Sequence, residues 1–523
     1  MKRRNFLHTA GAASLASFFL HGTPLRAHSP TPYLAQLANL ADETDRVLVL
    51  IQLNGGNDGL NTVIPLDQYD NLSKARPNLL IPENQVLKLD NDAGFHPGMT
   101  GLHSLYKDDL VAVVQSVGYP SPNFSHFRSK DIWTSGSPAT EHWNSGWAGR
   151  FLDEVFPNYP NGFPSEDEPH PPAITIGSVV SQTCQGEVVN LGLAIKNPSN
   201  FNELLDTGTG QAPNTPYGHE LTFLRETIRQ TNQYLEIVQE AATNGTNVSA
   251  LYPENGNKLA DQLKIVAQLI SGGLKTRIYV VNLGGFDTHA NQVEGNDPTD
   301  GKHNELLTKV SEAIAAFQDD MEQQGYAERV LGMTFSEFGR RIASNDSNGT
   351  DHGAAAPMIL FGPCVNPGIF GANPVIPEEV KNRDSLPMLY DFRSVYGSVL
   401  MDWFGLKEKT IKDLLYDEFS YIPVLQTYDG EGPREFQSLF IQPNFPNPFV
   451  DQTTIRFRTD QTTRIKVMVF DSQGRLLEIL ANEEFIAGNH ELVFDGSRLT
   501  AGFYYLHVQS ANERRVKLMS VVH

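Results

Sequence analysis

The sequence predicts an α/β fold, a doubly wound and mostly parallel sheet, followed by a small all-β sandwich. Three observations predict it. Ile278–Leu283 and Val330–Phe335 are short apolar runs of strand length. Between them, residues 303–324 place Leu306, Leu307, Val310, Ile314, Ala315 and Phe317 at helical spacing. Strand, helix, strand closes as a right-handed crossover, so the two strands are parallel and both carboxyl ends fall on one sheet edge. Near Asp429 the texture then changes to short alternating runs separated by turn residues, the pattern of a small sandwich.

Taken in order, the chain of 523 residues has room for one large domain and a smaller one. With 61 acidic against 40 basic side chains, its formal charge of −21 argues against nucleic acid and anionic lipid surfaces as partners. Residues 1–27 read as a twin-arginine-type signal peptide. Lys2-Arg3-Arg4-Asn5-Phe6-Leu7 precedes a modest apolar run from Thr9 to Leu20, and Leu25-Arg26-Ala27 offers a cleavage site. The competing reading is a retained membrane anchor. No other stretch approaches ~18 consecutive apolar residues, so no transmembrane segment is expected in the mature chain. Cys184 and Cys364 permit one disulfide in an exported protein, but folding before export favours two buried thiols.

The main domain is expected over 45–425. Its first strand, Arg46–Leu53, runs into Asn54-Gly55-Gly56-Asn57-Asp58, where glycines allow a sharp turn. Asp58 is an acid at a strand end, or a turn residue bonding its own backbone. Leu110–Val117 is a second strand, and a helix starts after it at Ser125 and runs to about Trp133. A hydroxyl at that place caps the helix, or serves as a nucleophile where the helix end favours an anion, with His126 beside it to take a proton. Residues 157–172 are a Pro- and acid-rich surface insertion. Tyr217–Ala242 and Asn257–Ser271 are amphipathic helices with packing faces. The strand at 278–283 leads to Asp287 and His289, and the strand at 330–335 leads to Glu337. A Gly- and Asn-rich loop then delivers Asp351 and His352. Pro357–Phe361 is a further strand and Asp391–Phe404 a late helix. Carboxylates and imidazoles on one rim suit a divalent metal, zinc or manganese rather than calcium. The bland alternative is a loop whose acids face solvent.

A linker is expected over 426–443, around Asp429-Gly430-Glu431-Gly432-Pro433, and a β-sandwich domain over 444–523. Thr453–Arg458, Arg464–Phe470, Glu491–Phe494 and Tyr504–Gln509 alternate as strands, with a hairpin turn at Asp471-Ser472-Gln473-Gly474.

GGNDGLN, SHF, GGFDTHANQ, SEFGR and GTDHG, in that order, lie between about Val47 and Gly405. Together they resemble the domain of unknown function 1501 family, which belongs with the alkaline phosphatase and sulfatase superfamily. The resemblance implies an alkaline phosphatase-like sheet, divalent metal held by Asp and His at strand ends, and a Ser or Thr nucleophile attacking phosphate or sulfate esters. By position, Asp58 corresponds to the first-strand ligand and Ser125 to the nucleophile. Asp287 and His289 correspond to the Asp-and-His pair, Glu337 to the acid after the strand, and Asp351 and His352 to the late His ligand. Two features depart from the pattern. Asp287 and His289 stand closer together, and Ser336-Glu337-Phe338-Gly339 lacks the His that follows the acid, leaving His126 or His352 to complete a two-metal set.

In the tail, FPNPF, TTIRF, VFDSQGRL, AGNHELVFDGSRLTAGFYYLHV and a final basic strand resemble the carboxyl-terminal sorting domain of the type IX (Por) secretion system. That resemblance implies the export and type IX machineries as partners, transit through the periplasm, and release or display at the cell surface. Two functions follow: an exported metal-dependent hydrolase acting on an anionic phosphate or sulfate ester, or a non-catalytic secreted or surface binding protein that keeps the fold.

Overall fold

The apolar runs pair into one sheet of nine strands in the computed structural model. It describes residues 18–20, 23–25, 45–198, 212–213, 215–295, 297–426, 439–441, 444, 446–459, 462–471, 475–486, 488–510 and 514–522. In chain order the sheet strands are β1 (Val47–Asn54), β2 (Val111–Gly118), β3 (Ala173–Ile176), β4 (Gly192–Ile195), β5 (Ile278–Gly284), β6 (Val330–Phe335), β7 (Ala356–Phe361), β8 (Gly368–Phe370) and β9 (Tyr390–Asp391). Across the sheet the order is β8-β2-β7-β6-β1-β5-β3-β4, with β9 paired to β2 off this path. β1 lies between β5 and β6 and is parallel to both. Gly284 sits opposite Asn54, and Phe335 opposite Gln52, so the three carboxyl ends emerge together. That edge is where an open α/β sheet presents its ligand crevice.

β1 is buried from Val47 to Leu53, as a central strand covered on both faces must be. Helices cover the sheet in two sets. One contains α1 (Thr100–Lys107), α5 (Leu235–Asn244), α6 (Lys258–Ser271) and the β5–β6 crossover helix α7 (Lys302–Gln323). α7 buries Leu306, Leu307, Val310, Ile314 and Phe317, the stripe its spacing predicts. The other set contains α3 (Trp147–Val155), α8 (Phe392–Phe404) and α9 (Glu408–Leu414). α8 is buried along its whole length, and its Trp403 indole donates to the Val47 carbonyl at 3.2 Å, which fixes it to β1.

Two details differ from the sequence reading. β7 runs antiparallel to both β6 and β2, because the chain returns from β6 through a loop without a crossover helix. The helix expected over 217–242 is two helices, α4 (Pro216–Gln233) and α5, separated at Tyr234, which leaves helical geometry and buries its ring. Cys184 and Cys364 are both free and buried, and burial pushes each thiol up to about 12.

The tail forms two antiparallel sheets. One pairs β10 (Leu439–Ile441), β11 (Gln452–Thr459) and β14 (Gly488–Asp495). The other pairs β12 (Thr463–Phe470), β13 (Leu476–Phe485), β15 (Gly502–Gln509) and β16 (Arg514–Val521). Ile455, Phe457, Val467, Val469, Leu506 and Met519 close a core of the tail's own residues. Most of the signal-peptide segment 1–27, most of the linker 426–443 and the turn residues 472–474 lie outside the described residues. Among the described residues no helix is long and apolar enough to cross a membrane.

Candidate metal centre

Three loops and one helix start bring the expected side chains together. After β1, Gly55 and Gly56 take φ values of 125° and 81°, and a Cβ on Gly55 would lie 2.3 Å from the Asp287 amide nitrogen. Only glycine lets this loop pass so close under the one that follows β5. After β6 the chain turns back on itself. Arg340 bridges antiparallel to His352, and the Gly353 amide donates to the Gly339 carbonyl at 2.9 Å. The same loop is stitched to the β5 loop, the Asn291 amide donating to Ser347 O at 3.0 Å and Thr350 to Thr288 O at 3.1 Å. α2 (His126–Ser135) enters from β2 with His126 as its first residue.

Asp287 sits where three imidazoles meet. His126 Nε2 lies 3.5 Å from Asp287 Oδ2, while His289 Nε2 and His352 Nε2 each lie 3.2 Å from Oδ1. The outer nitrogens all face acceptors. His126 Nδ1 is 3.0 Å from Glu337 Oε1, His289 Nδ1 is 3.1 Å from Asp351 Oδ1, and His352 Nδ1 is 2.8 Å from the Phe124 carbonyl. With a cation bound, a proton held at Nδ1 by its acceptor leaves each Nε2 lone pair for the ion; without one, His352 Nε2 is a hydrogen-bond partner of Asp287 Oδ1 at 3.2 Å. His289 Nε2 and His352 Nε2 are 2.8 Å apart. Two lone pairs at that distance need a cation or a shared proton against them. On a tetrahedral centre with bonds of about 2.1 Å, ligand atoms stand about 3.4 Å apart. The 3.2 and 3.5 Å spacings to Asp287 lie near that scale and the His289–His352 spacing is shorter, while ligand atoms of His126, Asp287 and His352, without His289, all lie within 4.8 Å of one another.

The fixed charge comes from Arg340, a fully buried side chain that sequence reasoning missed. It donates to the carbonyls of Gly56 at 2.7 Å, Thr350 at 2.8 Å and Phe286 at 2.9 Å, to Gly55 O, and to Asp287 Oδ1 at 2.8 Å. One guanidinium thus ties the three loops to one another and to the central carboxylate. Burial raises the Asp287 pKa, but hydrogen bonds from Arg340 and His352 outweigh it and hold the group at about 2. For Asp351 the same opposition, burial against hydrogen bonds from His289 and Asn345 and the charge of Arg341, leaves it below the usual carboxylate range. His352 is lowered, chiefly by burial, which favours the neutral ring a metal needs.

The expected residues divide by position. Asp287, His289 and His352 meet at one point, and His126 joins them with its Nε2 facing Asp287. Glu337 and Asp351 stand one step out, each holding a ring. Asp58 lies outside the cluster. It turns inward, fully buried, and its carboxylate takes Arg76 Nη1 at 2.8 and 3.0 Å and Gln292 Nε2 at 2.6 Å. Burial raises its pKa, while Arg76, His303 and Gln292 bring it down to a net lowering. Ser125 is exposed at the N-cap of α2, and its side chain makes no capping bond. The Phe124 carbonyl leaves no trace in a sequence, since any residue supplies one. Arg340 does have a signal, an Arg inside the SEFGR stretch.

Residues 216–415 match the family described as "Protein of unknown function (DUF1501)", and residues 444–521 match "Secretion system C-terminal sorting domain". The first match includes β5, β6 and the Asp351-His352 loop, and begins after Asp58 and Ser125. No curated protein matches the chain. Among solved structures, the PsFucS1 sulfatase from Pseudoalteromonas sp. aligns at 12% identity over 91% of this chain and 89% of its own, with a TM-score of 0.33. A protein in the alkaline phosphatase superfamily from Vibrio parahaemolyticus aligns at 11% identity over 92% of each chain, with a TM-score of 0.36. The phosphonate monoester hydrolase SpPMH from Silicibacter pomeroyi aligns at 10% identity over 91% of this chain and 89% of its own, with a TM-score of 0.30. Similarity at this level fixes no activity, and the architecture stands on its own strands and helices. The main domain thus contains a segment matching the DUF1501 family, and residues 444–521 match a secretion system sorting domain, which implies type IX handling and delivery to the cell surface or outside.

Proposed function

We propose that this protein is an exported, metal-dependent hydrolase of phosphate or sulfate esters. The observation that carries the reading is the convergence of three Nε2 atoms on one carboxylate at the carboxyl edge of the sheet. A divalent ion held there by Asp287 and the rings around it would draw charge from the ester oxygens and lower the pKa of an attacking hydroxyl. The chain's own groups do the rest. Glu337, Asp351 and the Phe124 carbonyl aim the three rings, and Arg340 keeps Asp287 ionised and in place. Ser125 offers its hydroxyl at the start of α2, where unpaired backbone N–H groups favour the anion to be attacked.

Ser125→Ala is expected to lower hydrolysis of activated phosphate or sulfate esters by about 10³-fold or more, with metal content unchanged. Because the Ser125 side chain makes no capping bond, its removal should cost less than the ~1 kcal/mol of a working cap. Steady-state kinetics and thermal unfolding of the same preparation check both halves. Full turnover in the variant would leave Ser125 as no more than the residue at the N-cap of α2. Absence of turnover from the metal-loaded parent would favour a non-catalytic binding protein on this fold.

The tail closes its own core, so a chain ending near Gly430 should fold, reach the periplasm and stay there. Fractionation of cells expressing both lengths tests this. Efficient appearance of the shortened chain outside the cell would remove the sorting role from the tail.

A further inference from the structure

We propose that the centre takes a single transition-metal ion, held by His126, His289, His352 and Asp287, and that Glu337 and Asp351 orient ligands without being ligands. The proposal deepens the metal-centre reading above and rests on it, by fixing the number of ions and the donor set.

Three observations lead there. The first is the donor set. Three imidazole nitrogens and one carboxylate make a four-coordinate resting set, to which an ester oxygen would have to add as a fifth ligand, and its nitrogen-rich character selects zinc-like ions over calcium or magnesium. The second is that the remaining acids are already committed. Glu337 Oε1 accepts from the Gly55 amide at 2.8 Å and from His126 Nδ1 at 3.0 Å, and the side chain is buried. Asp351 Oδ1 accepts from His289, and its Oδ2 lies 3.1 Å from Arg341 Nη1. Asp58 is held by Arg76 and Gln292. None of these can turn to a second ion without releasing a ring or stranding a guanidinium.

The third observation is charge. Asp287, Glu337 and Asp351 face Arg340 and Arg341, which with neutral imidazoles leaves a surplus of one negative charge. One dication reverses that to a single positive charge, suited to an anionic ester. Two would place three uncompensated positive charges around a buried guanidinium. Arg340 cannot swing away to relieve them, because carbonyls of the three loops also hold it.

The test uses the full-length protein, stripped and then reloaded with zinc, with metal per chain read by mass spectrometry. One equivalent is expected, and two equivalents would overturn the proposal. Cobalt(II) in place of zinc should give the intense visible bands of a four-coordinate site, and the weak spectrum of a six-coordinate site would overturn the donor set. His126→Ala should lose bound zinc, whereas Glu337→Gln should keep one equivalent with affinity lowered about 10–100-fold. Equal loss in both variants would make Glu337 a ligand and refute the division of roles. None of these readouts needs turnover. Metal bound as described without hydrolysis would defeat the hydrolase reading alone, and hydrolysis with two ions bound would defeat this inference alone.

Discussion

Asp287→Asn is expected to empty the centre of metal and to lower ester hydrolysis by about 10³-fold or more, equivalent to several kcal/mol of lost charge stabilisation. Asp287 is the group on which three imidazole Nε2 atoms converge, and it holds its negative charge down to about pH 2. Asparagine keeps the shape and an oxygen for Arg340 but removes the charge that binds a cation. The fold should survive, since the Asp287 side chain is 46% exposed and the loops remain tied by Arg340 to backbone carbonyls. Metal analysis, kinetics and near-ultraviolet circular dichroism on one preparation separate loss of metal from loss of structure. A variant with full metal content and full turnover would show that Asp287 is not the anchor.

Arg76→Leu is expected to destabilise the main domain by about 3–5 kcal/mol, because it strands a buried carboxylate. Arg76 and Asp58 have side-chain exposures of 0% and 1%. Arg76 also donates to Ile342 O at 2.9 Å, Asn61 Oδ1 at 3.1 Å and Arg341 O at 2.7 Å, so its loss loosens the loop that leads to the centre. The pH dependence carries a sign. In the parent, the Asp58 pKa is lowered, so its contribution is present above the unfolded carboxylate value and lost as pH falls through the folded one. Without Arg76, burial of the Asp58 carboxylate goes unopposed by that charge, so protonation relieves the variant and its deficit should shrink as pH falls. Adding Asp58→Asn to Arg76→Leu should recover part of the loss. Denaturant unfolding across pH measures all three, and a deficit under ~1 kcal/mol at neutral pH would contradict the buried pair.

The sheet was legible because its middle strands are apolar runs joined by a helix with a clear stripe. Ile278–Leu283, Val330–Phe335 and the spacing within 303–324 were enough to place Asp287, His289, Glu337, Asp351 and His352 on one edge. β3 and β4, at four residues each, are too short to show a period, and neither was anticipated. The break at Tyr234 was hidden because an aromatic ring there fits the apolar spacing of one continuous helix.

Within the centre, residue type was legible and direction was not. Glu337 and Asp351 aim their oxygens at imidazoles because the Arg340–His352 pairing turns the two segments face to face, a long-range event that no local pattern encodes. Asp58 looked like its counterparts at the other strand ends. It turns inward because Arg76, eighteen positions along and without any motif, waits there to neutralise it. His126 drew notice as a neighbour of Ser125 and as one of two rings that could complete the ligand set, and its place beside Asp287 follows from how α2 enters the edge.

The most direct test of the central claim is hydrolysis of activated phosphate and sulfate esters by the full-length protein, measured before chelation, after verified metal removal, and after zinc or manganese is returned. Turnover should vanish with the metal and come back with it, and it should fail to come back in Asp287→Asn. Turnover that persists in metal-free protein, or that is absent from the fully loaded parent, would contradict a metal-dependent ester hydrolase built on these residues.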